Sequence, residues 1–225
     1  MKQHILCLNQ LPLFGGLDKP DFINTCSKTA KKAVAKGEYL FRQGETASTV
    51  YLIKTGKLKL VQHTIEGREV ILDVAGPGEV LGETVLFRGQ DQPFSAVAME
   101  DTNLCCVTRQ QFESLIQHNP DFAVKIVSYL GQKLYDAMQK NGESAGTPVK
   151  DKVLRMLSRL ADEYGRVITG ETVIELAITQ QELANMVGAS RVAVAQVLKM
   201  FKEAGVIGRQ GRYYTLITYP CEGKA

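Results

Sequence analysis

The ten residues from Ser190 to Lys199 carry the most pointed chemistry in this 225-residue chain: Ser-Arg-Val-Ala-Val-Ala-Gln-Val-Leu-Lys. Val194, Val197, Leu198 and Phe201 recur at i, i+3, i+4 and i+7, the spacing by which a helix turns one apolar stripe to a core. The opposite face then carries Arg191, Val192, Ala195, Gln196 and Lys199. Those side chains suit the major groove of a DNA duplex. Arginine forks onto the two guanine acceptors, glutamine pairs with an adenine edge, and an aliphatic group packs on a thymine methyl. Ala195 is small enough to let the helix sit deep, and Ser190 with the helix N-terminus can hold a phosphate. Further on, residues 206–209 and 212–217 flank a Gln210-Gly211 turn. The hairpin this predicts sets Arg209 and Arg212 where they can touch backbone phosphates.

A reading helix needs elements that aim it. Thr179 followed three residues later by Glu182 is a capping box, so a helix starts here, with Leu183, Ala184, Met186 and Val187 on its apolar side. Gly188 ends it, and Ser190 caps the next helix, which runs to about Ala204. Two helices joined by so short a turn predict a helix-turn-helix, with Thr179 and Gln180 at the DNA-facing end of the first helix. Upstream, Val153, Leu154, Leu157, Leu160 and Ala161 mark a supporting helix. Gly165 and Gly170 bracket a turn, and residues 173–178 alternate as a short strand. Residues 141–148, polar with glycines and a final proline, read as a hinge.

The first half of the chain has a different rhythm. Residues 37–108 are punctuated by turns about every ten residues, such as Gly37-Glu38, Gly44-Glu45, Gly76-Pro77-Gly78 and Arg88-Gly89. The runs between them, at 50–53, 58–61, 70–74 and 104–108, predict an antiparallel β sandwich or barrel. From Asn119 to about Gly142 the spacing becomes helical. Ala123, Val127, Leu130, Leu134 and Ala137 step by four and three, the seam of a coiled coil, which predicts a homodimer interface. Phe122, Ile126 and Met138 widen that stripe toward the chain's own barrel. The organisation is therefore α+β: a β domain over 1–118 with short N-terminal helices, a dimerisation helix over 119–142, and a winged helix-turn-helix over 148–225.

Composition narrows the function classes. No apolar stretch approaches the ~18 residues needed to cross a bilayer, and Asn9, Gln10 and Pro12 interrupt the apolar residues near the start. Neither a membrane association nor a signal peptide is expected, and the default location is the cytoplasm. Five cysteines, at 7, 26, 105, 106 and 221, form neither a disulfide framework nor a CxxC pattern. Cys105 and Cys106 fall on a strand and point to opposite faces; the reading of them as idle reduced thiols stands beside a redox or metal sensor. No metal site is expected. Residues 1–147 hold 16 basic and 16 acidic side chains, residues 148–225 hold 11 and 8, so the net charge of +3 lies in the last third. GxGxxG, GxxxxGK[ST], HExxH and GxSxG are all missing, and three histidines leave little acid–base capacity, so no enzyme is expected.

Taken together, Phe41-Arg42-Gln43-Gly44-Glu45, residues 51–57, Gly78-Glu79-Val80-Leu81-Gly82-Glu83, Asn119-Pro120-Asp121 and residues 178–208 resemble the cyclic-AMP receptor protein / fumarate-nitrate reduction regulator (Crp/Fnr) family over essentially the full length. The resemblance implies an N-terminal antiparallel β jelly roll of the cyclic-nucleotide-binding kind, a dimerisation helix and a C-terminal winged helix-turn-helix. It further implies a homodimer on double-stranded DNA at a pseudo-palindromic promoter site, contact with RNA polymerase, and an effector between barrel and helix. That effector site would involve Gly82, Glu83, Thr84, Phe94, Ser95, Ala137 and Met138.

Departures from the family pattern shape the rest. Where cyclic-AMP binders place an Arg-Ser/Thr pair on the phosphate, this chain has Gln92-Pro93-Phe94-Ser95-Ala96, and the adenine-contacting Thr-Ser pair is replaced by Ala137 and Met138. A buried anion without a cation is unfavourable, so cyclic AMP is not expected. The iron–sulfur members carry clustered N-terminal cysteines; here only Cys7 and Cys26, nineteen residues apart, precede Cys105. Haem would have His4, His63 and His118 to choose from. A small molecule, haem, an iron–sulfur cluster and direct thiol chemistry all stay open as the effector. The binding event is expected to repack the helix seam and shift the reading heads. Relatives often read with Arg, Glu and Arg; Arg191, Val192 and Gln196 predict a half-site differing from TGTGA or TTGAT at the bases the last two face. The rival reading is a cyclic-nucleotide module that regulates a protein partner.

Overall fold

The computed structural model describes residues 29–83, 91–118, 120–142, 146–168 and 170–217. Thr84, the turn expected at Arg88-Gly89, Asn119, the centre of the expected hinge (143–145) and the N-terminal stretch where short helices were expected, with His4, Cys7 and Cys26, lie outside them, as does Cys221. The turn-punctuated half forms two four-stranded antiparallel sheets. One joins β1 (Ala30–Val34), β8 (Thr102–Thr108), β3 (Thr49–Thr55) and β6 (Val80–Leu81) in that order. The other joins β2 (Tyr39–Phe41), β7 (Ser95–Ala98), β4 (Leu58–His63) and β5 (Glu69–Ala75). Ile53, Leu58, Leu81 and Leu104 are fully buried between the sheets, which gives the jelly-roll core. Each such side chain contributes roughly 1.5–3 kcal/mol on burial.

The first sheet is covered on its other face too. Val50, Leu52, Val80, Cys105 and Val107 pack beneath Phe112 of α1 (Arg109–His118) and Phe122 and Ile126 of α2 (Pro120–Gly142). Burial on both faces is why β3 and β8 read as apolar runs rather than as a clean alternation. It also sends Cys105 under the helices while Cys106, half-buried, faces the other way beside its register partner Tyr51. Gly82, just after β6, has a φ of +82°, and a Cβ there would stand 2.5 Å from the Thr49 carbonyl oxygen. Only glycine fits.

Helix α2 divides its apolar residues between the barrel and an outer face. Phe122 and Ile126 are buried against the barrel, and Tyr129 and Leu130 pack on the same cluster. Leu130 therefore serves the chain's own core, and Ala123 is half-buried beside it. The large apolar side chains left in solvent are Val124, Val127, Leu134, Tyr135 and Met138. At about 100° per residue this stripe lies about 70° round the helix from the predicted one. A single helix that must satisfy both a barrel and an outer face splits its apolar residues between them, and spacing alone does not say where the split falls.

The chain divides into two units, residues 1–139 and 140–225, each with its own core. In the second, α3 (Val149–Tyr164), α4 (Gln180–Val187) and α5 (Arg191–Glu203) pack with a sheet of order β11-β12-β10-β9, formed by Ile207–Gln210, Tyr213–Leu216, Glu171–Ile174 and Gly165–Ile168. Val153, Leu157, Leu160, Leu183, Val194, Leu198 and Phe201 are buried there. Two expectations change. The stretch read as a turn between Gly165 and Gly170 is mostly strand β9, paired with β10, and β10 ends at Ile174 rather than Ile178. The strand stops where its partner gives way to α3; beyond it Leu176 and Ile178 stay buried as the lead-in to α4. Val197 is half-buried at the edge of its stripe. No helix among the described residues is long and apolar enough to cross a membrane.

Candidate nucleic-acid interface and effector site

Two caps fix the helix pair that presents the candidate reading surface. Thr179 Oγ1 accepts the Glu182 N–H at 3.1 Å, while the Glu182 carboxylate accepts the Thr179 N–H and hydroxyl, each at 2.9 Å. The Thr179 hydroxyl is thus occupied inside its own capping box; it positions α4. Gln180, the first residue of α4, is half-buried. Gly188 ends the helix at φ +64° and ψ +39°, a left-handed conformation that turns the chain sharply into Ser190. Ser190 Oγ accepts the Ala193 N–H at 3.2 Å and starts α5.

On α5, Val194, Leu198 and Phe201 are buried and Arg191, Val192, Gln196 and Lys199 are exposed. Val192, Gln196 and Lys199 all project within about 45° of the direction opposite the buried stripe, and Ala195 lies half-buried beside them. Lys199 stands 3.8 Å from Glu203 one turn on, a solvent-exposed pair. Arg191 and Gln196 have no ion-pair or hydrogen-bond partner among the described residues. The hairpin of β11 and β12 carries the other two cations at its tip. The Arg209 guanidinium lies 5.1 Å from the Tyr214 ring centre, and that of Arg212 lies 5.2 Å from Tyr213, to whose hydroxyl it donates at 3.0 Å. Each guanidinium thus lies within cation–π reach of a tyrosine ring at the hairpin tip.

The expected effector site resolves differently from its sequence outline. Gly82 and Glu83 follow β6, and Thr84 lies outside the described residues, as does the side chain of Ala137. Ser95 is buried, its hydroxyl accepting the Gln43 N–H at 2.8 Å, and Phe94 tilts against Phe41 at 6.0 Å. Met138 is exposed on the outer stripe of α2, away from the barrel-facing residues. The side chains that approach Glu83 are ones the sequence reading missed. Lys133 Nζ is 3.8 Å from Glu83 Oε1 and donates to the Val80 carbonyl at 3.2 Å. The Tyr129 hydroxyl accepts the Val80 N–H at 3.2 Å, and its ring centre is 5.2 Å from Lys133 Nζ. Glu83 Oε2 is buried with no hydrogen-bond partner among the described residues. Phe122, Ile126, Tyr129 and Lys133 step by four, three and four, so a lysine on the barrel-facing stripe was the available signal.

Electrostatics tie this cluster together. Burial opposes the charge on Lys133, but Glu83, then Tyr129 and Glu79, outweigh it, so its pKa lies above the usual lysine value. Burial pushes the Tyr129 phenol up, against the opposing charge of Lys133. Burial likewise raises the Cys106 thiol despite Lys32 nearby. Cys105 and Cys106 point to opposite faces of one strand, so the two sulfurs do not fit as ligands of one iron–sulfur cluster.

Comparison with known proteins matches both units. The family model of the cyclic nucleotide-binding domain covers residues 31–119, and that of the Crp-like helix-turn-helix domain covers residues 151–220. The cAMP-activated global transcriptional regulator CRP of Salmonella typhimurium is 30% identical over 181 residues, 80% of this chain and 85% of that protein. The cyclic AMP receptor protein of Thermus thermophilus is 29% identical over 197 residues, 87% and 88% of the two chains. The structure of CLP, a c-di-GMP responsive global regulator of Xanthomonas campestris, superposes with a TM-score of 0.76 at 23% identity, covering 90% of this chain and 100% of that one. That last likeness is one of fold alone.

Proposed function

The chain belongs to the Crp/Fnr family of DNA-binding transcriptional regulators, and from that premise we propose that it works as a homodimer on a two-fold symmetric promoter site, read by α5 and gripped by the β11–β12 hairpin. The observation that carries this reading is the exposed set Val192, Gln196 and Lys199, ranged opposite the buried stripe of a helix capped by Ser190, with Arg191 exposed in its first turn. Ser190, Lys199, Arg209 and Arg212 are assigned to phosphates, Arg191, Val192 and Gln196 to base edges, and Thr179 and Gln180 to the flank of the groove. Two copies of α5 one helical turn of DNA apart require a two-fold axis between protomers, and the apolar outer stripe of α2, Val124, Val127, Leu134, Tyr135 and Met138, suits a second copy. Contact with RNA polymerase and a cytoplasmic setting follow from the same role.

The N-terminal unit is the effector domain, and its ligand is proposed to act where β6 meets α2, at Glu83, Tyr129 and Lys133, by shifting the population of α2 packings. The effector is proposed to be other than a cyclic nucleotide. Gln92-Pro93-Phe94 offers a phosphate no cation, and the Ser95 hydroxyl is buried and already bonded.

Selection of binding sites from randomised duplex DNA tests the reading. The expected product is an inverted repeat with half-site centres 10–11 base pairs apart. A double variant, Arg191→Ala with Gln196→Ala, folds normally and selects nothing. Enrichment of no sequence by the intact protein, across candidate effectors, would overturn it. Cyclic AMP is expected to leave both the thermal midpoint and the DNA affinity unchanged.

A further inference from the structure

Val192 stands in an unusual place for an aliphatic side chain. It is 68% exposed, at the centre of the outward face of α5, flanked by Arg191 and Gln196. No carboxylate lies near it on that face. Glu203 shares the stripe but sits eleven residues, or about 16 Å, along the helix and is engaged by Lys199. A face so composed has a fork for guanine and an amide for adenine, but no acidic acceptor for the exocyclic amine of cytosine. What Val192 itself can sense is the one apolar feature of the major groove, the methyl group on C5 of a pyrimidine.

We propose that Val192 is a specificity-determining residue that reads a pyrimidine C5-methyl, so that the half-site places thymine opposite it and 5-methylcytosine substitutes there better than cytosine does. This rests on α5 being the base-reading helix. Thymine and 5-methylcytosine differ at position 4, which an aliphatic side chain cannot distinguish, and share the methyl, which it can bury. Binding by this chain then responds to cytosine methylation at one defined position of its site. The charged residues of the face set register and read the other bases.

The test uses the full-length protein and the duplex recovered by selection, with each thymine of the half-site replaced in turn by deoxyuridine, which removes only the methyl. One position is expected to weaken binding by roughly three- to fivefold, the effect of one methyl group taken out of water. At that same position 5-methylcytosine is expected to bind more tightly than cytosine by a similar factor. Val192→Ala, at an exposed site where folding is untouched, should bind thymine and uracil duplexes alike. Val192→Thr, which keeps one methyl, should restore part of the discrimination. If sequence-specific binding is intact but no uridine substitution matters, or Val192→Ala still discriminates, this inference is overturned while the DNA-reading role stands. Absence of any sequence preference defeats both.

Discussion

Lys133 brings a positive charge to the junction of helix and sheet, where solvent reaches only part of it. Removing either member of its pair with Glu83 leaves the other charge facing a half-dry surface, while removing both is far less harmful. Lys133→Met is therefore expected to lower the stability of the N-terminal unit by about 1 kcal/mol, discounted for the solvent that both side chains still see. Lys133→Met with Glu83→Gln should recover most of that loss in a urea titration. The pH dependence follows from the directions. A lysine whose folded pKa is raised gives its full stabilisation below its unfolded value, about 10.4, and loses it as pH climbs through the folded one. The raised phenol of Tyr129 works in the same sense above about pH 10, because the unfolded chain ionises first. The urea midpoint should stay level up to about pH 9 and fall beyond, less steeply in Lys133→Met. The carboxylate of this cluster was legible in the Gly-Glu motif. Its lysine was not, because a charge within an apolar stripe of α2 looks like any solvated residue until the barrel is laid against it.

For the elements, the capping box of α4 shows where local sequence is sufficient. Thr179, Glu182 and Gly188 act on backbone groups within a few residues, so their roles follow from chain order alone. Thr179→Ala should cost about 1 kcal/mol and raise amide exchange at Glu182 first, since its N–H is the one the hydroxyl accepts. The barrel strands were legible where turns bracket an apolar run, as at 50–53. The short strands β2, β6 and β7, and the helix α1, were not, because so few residues carry no measurable period. Helix α2 shows the deeper limit. Its apolar residues were identified, but dividing them between barrel and outer face required the tertiary structure, which packs half-buried Leu130 on the barrel cluster. The division predicts that Leu134→Glu, outside the barrel contact, leaves the unfolding free energy of the N-terminal unit within about 0.5 kcal/mol while converting dimer to monomer in sedimentation equilibrium. Leu130→Glu should instead unfold that unit. A monomeric wild-type protein at micromolar concentration would sink the assignment of this stripe.

At the scale of the whole molecule, charge decides between a groove in DNA and a protein partner. The surplus of basic side chains is confined to residues 148–225, and a net +3 is too small to bind polyanions indiscriminately. The useful cations are few and placed: Lys199, Arg209 and Arg212, the latter two each about 5 Å from a tyrosine ring centre. The Lys199–Glu203 pair is exposed and weak, so Lys199 remains available to a phosphate. Two protomers then offer about six phosphate contacts, and each contributes about −0.9 to the slope of log affinity against log salt. A slope near −5 follows, a loss on the order of 10³-fold between 50 and 200 mM salt. Arg209→Ala with Arg212→Ala removes four of the six contacts and should bring the slope to about −2, with the selected half-site unchanged, because phosphate contacts position without specifying. A partner protein docked on the same face would show a shallow dependence on salt and little response to the hairpin arginines. Fluorescence anisotropy on a labelled duplex, repeated across salt for wild type and the double variant, separates the two by slope alone.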